Sequence, residues 1–151
     1  MRALIQRVTK ASVTVQGRKI GEIGKGILVL LGITHGDSEK DITYLHDKIA
    51  NLRIFEGESG KLDLSLRDIK GEFLLISQFT LYGDCKKGRR PDFNGAAPIE
   101  EARSTFEKAC EIFQKSDVPT KTGQFQANMQ VELINDGPVT LMLESKKETS
   151  Q

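Results

Sequence analysis

Five side chains in this sequence are candidates for a nucleophile or its base. They are Ser77, Thr80 and Cys85 on one hand, and His35 and His46, the only imidazoles, on the other. A hydroxyl nucleophile needs a base within hydrogen-bond reach, and that base is itself oriented by a third group. Neither histidine stands in a segment that signals such a relay. His46 falls beside an apolar stripe at helical spacing, the pattern of a packed or half-exposed histidine. Cys85 stands beside Lys86 and Lys87, whose charges would favour its thiolate, yet a lone loop cysteine is more often incidental. No phosphate-binding loop, dinucleotide fingerprint or cysteine–histidine metal spacing is present, so neither a metal nor a cofactor is expected. Side-chain catalysis is therefore poorly supported. Two short motifs remain to be explained: Ser77-Gln78-Phe79-Thr80-Leu81 and Asn135-Asp136-Gly137-Pro138-Val139-Thr140.

The elements that must position these motifs can be read from periodicity. Phe73-Leu74-Leu75-Ile76 is a short apolar run of strand length, and it leads straight into Ser77. The second motif lies between Met129-Gln130-Val131-Glu132-Leu133-Ile134 and Val139-Thr140-Leu141-Met142-Leu143-Glu144, each alternating apolar and polar. Two strands joined by Asn-Asp-Gly-Pro read as a hairpin, with Asp-Gly supplying the positive φ of a tight turn. Pro138 has no N–H to give where the second strand would begin pairing. The tip is then an edge or functional protrusion, or a plain turn with a trans proline.

The rest of the chain supplies a frame. Residues 2–8 and 12–16 read as strands broken near Lys10-Ala11, and Gly17-Arg18-Lys19 as a turn. Gly26 to Ile33 is apolar on both faces, as in a central strand covered on each side. Ser38 opens a helix with a capping box in which Asp41 replaces the usual Glu; Ile42, Leu45, Ile49 and Leu52 form its buried stripe. Residues 53–69 read as small strands and turns. A second helix opens at Pro98, with Glu100 and Glu101 in its first turn. Its apolar face is Ile99, Ala102, Phe106, Cys110 and Phe113, which places Cys110 in the core. The polar tail 146–151 is expected to fray. The expected fold is α+β: a curved, barrel-like, mostly antiparallel β-sheet with two main helices of about 15 residues each, in a single domain spanning 1–151.

Composition excludes several function classes. With 38% apolar and 28% charged residues the chain reads as a globular protein, not a disordered one. No apolar run approaches the roughly 20 residues of a membrane span, and the start of the chain is too polar for a secretion signal. A cytoplasmic location without membrane partners is the expectation. A net charge of +1 lacks the basic excess of a general nucleic-acid binder. One local cluster stands out, Lys86-Lys87-Gly88-Arg89-Arg90, which is either a solvated loop or a contact surface.

Read together, the motifs at 77–81 and 135–140 resemble the paired signatures of the D-aminoacyl-tRNA deacylases. The resemblance continues in Gln6-Arg7-Val8, Ala11-Ser12-Val13, Lys87-Gly88-Arg89-Arg90-Pro91 with Phe93, and Thr122-Gly123-Gln124-Phe125 with Met129, and so spans nearly the whole chain. Gln126 departs from it, since the family pattern favours a small residue there. The resemblance implies a homodimer with active sites at the subunit interface, and a cis Gly137-Pro138 bond inserted into the partner's pocket. It implies that the Gly137 and Pro138 carbonyls meet the substrate's α-amino group and leave no space for an L side chain, while glycine would fit. Arg7 would hold the Gly-Pro orientation, with Phe125 and Met129 lining the neighbourhood; their ordinary readings are a surface arginine and two core residues.

The implied reaction is hydrolysis of the ester between an amino acid and the 3′-terminal ribose of tRNA. The N–H of Phe79 or Thr80 would stabilise the oxyanion, and Ser77 and Gln78 would bind the terminal adenosine. Thr80 is either the nucleophile or a bystander to the substrate's own 2′-hydroxyl. A second oxyanion donor is expected near residues 95–102. Lys86, Lys87, Arg89 and Arg90 would contact acceptor-stem phosphates, which position RNA without reading its sequence. Two other classes remain: a non-catalytic dimer binding the tRNA 3′ end, and a dimeric small-molecule module.

Overall fold

Two parallel strands, β3 (Gly26–Gly32) and β6 (Glu72–Ser77), form the centre of the sheet in the computed structural model, which describes residues 1–145. Both are covered on each face, as their unbroken apolar runs predict. Ile27, Val29 and Leu31, with Phe73 and Leu75, face the helices. Leu28, Leu74 and Ile76 face the other way, into a smaller core with Val8, Ala11, Val13 and Ile23. One strand pair thus serves two cores.

The six-stranded sheet has the order β2 (Arg18–Ile23), β1 (Arg2–Val15), β3, β6, β7 (Thr120–Thr122), with β8 (Met129–Glu144) added along β1. β1 pairs antiparallel with β2, β3 and β8. β7 lies parallel to β6, as β6 does to β3, so the sheet is mixed, with the antiparallel pairings of β1 in the majority as expected. Its curvature brings Gly21 of β2 towards Thr122 and Leu74, giving the barrel-like form.

Two helices pack on the outer face, α1 (Glu39–Asn51) and α3 (Ile99–Lys115). Between them in sequence lie β4 (Phe55–Glu56), β5 (Leu62–Leu64) and a four-residue helix, α2 (Leu66–Ile69), where only strands and turns were expected. Ser65 caps α2 as Ser38 caps α1: the Ser38 N–H donates to Asp41 Oδ2 at 2.8 Å, and the Ser65 N–H to Asp68 Oδ2 at 2.8 Å. Pro98 is the residue before α3 rather than its first residue. The buried face of α3 is Ala102, Phe106, Ala109 and Phe113, whereas Ile99 is exposed and Cys110 is only half-buried against the core.

Two expectations about strands fail for one reason. β1 does not break at Lys10-Ala11, and residues 129–144 do not form a hairpin. Both halves of β8 pair with the same strand: Met129–Ile134 with residues 10–15 of β1, and Thr140–Glu144 with residues 2–6. Residues 136–139 are extruded as a wide bulge opposite Arg7, between the pairs Gln6–Thr140 and Val8–Asn135. The turn-forming residues bend the chain out of the ladder without reversing it. The polar tail 146–151, expected to fray, lies outside the described residues.

Candidate active site

Ser77 is the last residue of β6, and the Gln78 N–H continues the ladder by donating to Leu31 O at 2.8 Å. The chain then turns sharply into a short 3-10 helix, Phe79–Tyr82. Gly32 permits this: a Cβ there would lie 3.0 Å from Leu81 Cβ and 3.2 Å from Gln78 O. The first N–H groups of such a turn have no intrahelical acceptor, so Phe79 and Thr80 carry donors at a rigid strand end.

A pocket of about 560 Å³ opens at this strand end. Ser77, Gln78 and Phe79 form one side of it; Phe125 and Met129 form another, and Ile99 and Ala102 bring in the first turn of α3. Phe125 and Met129 are therefore half-buried pocket residues as well as contributors to the two cores. Gly123 allows the loop to approach β6, since a Cβ there would crowd Met129 Sδ at 2.8 Å and Ile76 Cδ1 at 2.9 Å. The amino end of α3 borders the pocket where a second oxyanion donor was expected, with the Ala97 N–H already committed to Ile33 O at 3.0 Å.

The hydrogen bond made by the Thr80 side chain is with an amide, not with a base: Gln78 Nε2 donates to Thr80 Oγ1. The two imidazoles are engaged elsewhere. His35 Nε2 lies 3.0 Å from Asn94 O, and His46 is buried against Phe73 and Phe113, with Nδ1 3.0 Å from Asp47 Oδ1. His46 is thus a packed histidine. Burial pushes the Cys110 thiol up to about 11, partly offset by a hydrogen bond with Thr122. A thiol so shifted is a poor nucleophile at neutral pH. Among the described residues no cluster of three histidine, cysteine, aspartate or glutamate side chains is placed to hold a metal.

Arg7 is not a surface residue. It is 4% exposed, and its Nη1 donates to Ile54 O at 2.7 Å while Nε donates to Asp136 O at 3.0 Å and lies 3.3 Å from Asp136 Oδ2. Asn135 closes the base of the bulge by donating to Arg7 O and Val139 O, both at 3.1 Å. Gly137 and Pro138 form its tip, joined by a cis peptide bond. They are absent from the lining of the chain's own pocket.

The basic residues Lys86, Lys87, Arg89 and Arg90 are all exposed on a small loop whose base is pinned by the reciprocal Asp84–Asp92 backbone pair, at 2.7 and 2.8 Å. Phe93 at the foot of this loop meets Phe79 edge to face, 5.3 Å between ring centroids. The basic loop is therefore anchored at the pocket mouth. Two pocket-wall features gave little signal in the sequence. Gln126 stood out only as a departure from a pattern, and its partner Arg103, which donates to Gln126 Oε1 at 2.8 Å, gave none because the pairing is long-range.

The family model described as D-Tyr-tRNA(Tyr) deacylase matches residues 4–144. Over 147 residues the chain is 56% identical to the protein named D-aminoacyl-tRNA deacylase of Clostridioides difficile (strain 630), covering 97% of this chain and 99% of that one. It is 54% identical over 147 residues to the protein of the same name from Thermosipho africanus (strain TCF52B), with the same coverage. A solved structure named c-Myc DNA Unwinding Element Binding Protein superposes with a TM-score of 0.90 at 48% identity, covering 97% of this chain and all of the other. A structure described as a probable eukaryotic D-amino acid tRNA deacylase shares the fold, with a TM-score of 0.77 at 15% identity over 95% of this chain and 98% of that one. With a family match over residues 4–144 and relatives at this identity, the chain belongs to the D-Tyr-tRNA(Tyr) deacylase family.

Proposed function

We propose that this protein hydrolyses the ester of D-aminoacyl-tRNA, releasing the free D-amino acid and intact tRNA. Water adds to the acyl carbon, the bond to the ribose 3′ oxygen breaks, and that oxygen leaves with a proton. The observation that carries the reading is the convergence of Ser77, Gln78 and Phe79 with Phe125 and Met129 around one pocket, in a chain of this family. Ser77 and Gln78 bind the terminal adenosine. The N–H groups of Phe79 and Thr80 receive the oxyanion, a preorganised arrangement effective where water is excluded.

Thr80 is not the nucleophile in this scheme. Its side chain is paired with Gln78, and both imidazoles are engaged with other partners. The substrate's vicinal 2′-hydroxyl supplies the activation that the protein lacks, which also makes the site selective for RNA.

Chirality is read by a second subunit. The Gly137-Pro138 tip, held at its base by Arg7, enters the partner's pocket and meets the α-amino group, and the space for an L side chain is filled. Exclusion of this kind discriminates by clash and needs no tight binding of the D form. Glycyl-tRNA escapes it. Support for a two-fold interface comes from β8, which exposes Ile134, Leu141 and Met142 beside the bulge. Lys86, Lys87, Arg89 and Arg90 contact acceptor-stem phosphates, and the enzyme works in the cytoplasm, where its substrate is charged.

The test is release of amino acid from matched D-Tyr-tRNA and L-Tyr-tRNA in the presence of a chelator. Rapid loss of the D ester alone is the expected result. Persistence of both esters would favour the second reading, a dimer that binds the tRNA 3′ end without turnover.

A further inference from the structure

The pocket wall formed by residues 124–128 is a thin partition. Gln126, Ala127 and Asn128 line the pocket on one side and, with Val15, Gln16 and Gln124, a separate recess of about 370 Å³ on the other. Open space behind a wall means that packing does not hold it from the rear. Gln126 also adopts φ +62°, in the left-handed region that a side chain other than glycine rarely occupies. Something must retain this conformation. The turn itself contributes, with the Ala127 N–H donating to Gln124 O at 3.3 Å, and a side-chain contact from α3 adds to it. Arg103 Nη2 donates to Gln126 Oε1 at 2.8 Å, and the same guanidinium lies over the Phe125 ring, 5.0 Å from its centroid. Phe125 in turn stacks on Phe106 of α3 at 6.1 Å. Glu100, one turn earlier on α3, lies 3.8 Å from Arg103 Nε.

We propose that Arg103 is a positioning residue: by clasping Gln126 and covering Phe125 it fixes the gap between α3 and the 124–128 wall, and so sets how tightly the acyl-adenosine end is held. The proposal rests on the deacylase reading of the pocket. Its physical basis is that one planar guanidinium bonds an amide and stacks on a ring at once, which an ammonium cannot do. The oxyanion donors sit on a different element, at the end of β6, and are not displaced when the wall loosens. Without the clasp, ground-state and transition-state binding weaken alike, which appears in KM and leaves kcat in place. Gln126 and Arg103 act as one unit, so removing either side chain breaks the same bond.

The experiment compares the wild-type protein with Arg103→Ala, Gln126→Ala and the double variant, using D-Tyr-tRNA. Arg103→Ala is expected to raise KM about fivefold with kcat within about twofold of wild type, Gln126→Ala to raise KM less because the guanidinium still covers Phe125, and the double variant to match Arg103→Ala. Wild-type KM in Arg103→Ala, a fall in kcat at constant KM, or strictly additive effects would each overturn the proposal. Amide hydrogen exchange on the same proteins gives a readout independent of turnover. Residues 124–128 should exchange about tenfold faster in Arg103→Ala, with protection in β6 unchanged. An inactive wild-type protein whose loop still loosens in this way would overturn the deacylase reading and uphold the clasp; an unchanged loop would overturn the clasp whatever the activity.

Discussion

The guanidinium of Arg7 joins the bulge of β8 to the body of the fold, with Nε donating to Asp136 O at 3.0 Å while Nη1 donates to Ile54 O at 2.7 Å. The tip that carries Gly137 and Pro138 is thus held from within by a charge that is almost fully buried.

Arg7→Ala is expected to lower stability by about 2–4 kcal/mol, because it removes charge-assisted bonds and leaves two buried or half-buried carbonyls unpaired. It is also expected to abolish most D-Tyr-tRNA hydrolysis under conditions where the protein remains folded. Urea denaturation and hydrolysis rates measured on the same sample separate the two effects. A variant of wild-type stability and full activity would show that the bulge orients itself without Arg7.

Thr80→Ala is expected to keep hydrolysis within about tenfold of wild type, since the hydroxyl only pairs with the Gln78 amide and the backbone donor remains. A tRNA ending in 2′-deoxyadenosine should be hydrolysed far more slowly by both proteins. Single-turnover rates on the two RNAs decide the matter: near-complete loss of activity in Thr80→Ala, with the deoxy substrate still cleaved by wild type, would return the nucleophile role to Thr80.

The local motifs of the sequence marked residues that meet at one pocket, but hid what depended on distant partners. Phe73–Ile76 running into Ser77 was legible because a buried strand of that length has one reading. The Asn135–Thr140 segment was not, because alternation on both sides of turn-type residues describes a hairpin and a bulged strand equally well. What decides between them is β1, long enough to pair both halves of β8, and no local pattern reveals that. Burial of Arg7 did have a signal in the sequence: it is in phase with Ala3 and Ile5 on the inward face of β1. The pairing of Arg103 with Gln126 had none, since their meeting depends on how α3 packs beside a loop well beyond its own end.

The two cysteines should differ sharply towards thiol reagents. Cys85 is exposed, whereas Cys110 is half-buried with its thiol pushed up to about 11 by burial. A raised value means less thiolate at any pH below it, so Cys110 is doubly protected, by access and by charge state. At pH 8 iodoacetamide should react quickly at Cys85 alone, and hydrolysis should be unaffected. Rapid modification of Cys110 in the native protein, located by peptide mass, would contradict the packing described for α3.

Ile134→Glu with Met142→Glu tests the interface, since both side chains are about half exposed on β8 and contribute little to either core. Placing two carboxylates on a shared two-fold surface sets like charges against each other in a dimer and costs a monomer little. Sedimentation should show monomer for the variant and dimer for wild type, with circular dichroism unchanged. Hydrolysis should fall with the dimer, because each pocket then lacks the partner's Gly137-Pro138 tip. A folded monomer that retains full activity and D selectivity would rule out the two-subunit site.

Arg89→Glu with Arg90→Glu reverses two charges on a loop that is exposed to solvent yet tied to the pocket mouth through Phe93 and Phe79. If these side chains neutralise phosphates, each phosphate left without its cation takes about 0.7–0.9 from the slope of log affinity against log salt, so the double variant should bind more weakly and be less salt-sensitive. Because phosphate contacts position the RNA and do not touch the ester, kcat should be preserved and KM should rise. The weakening should also be equal for D-Tyr-tRNA and for other D-aminoacyl-tRNAs, since a phosphate carries no sequence. A short substrate, D-tyrosyl-adenosine, offers no acceptor stem to contact, and its hydrolysis should be the same in variant and wild type. An equal fall on the short and the full-length substrate would place the effect in the pocket, through Phe93 and Phe79, and not in the stem.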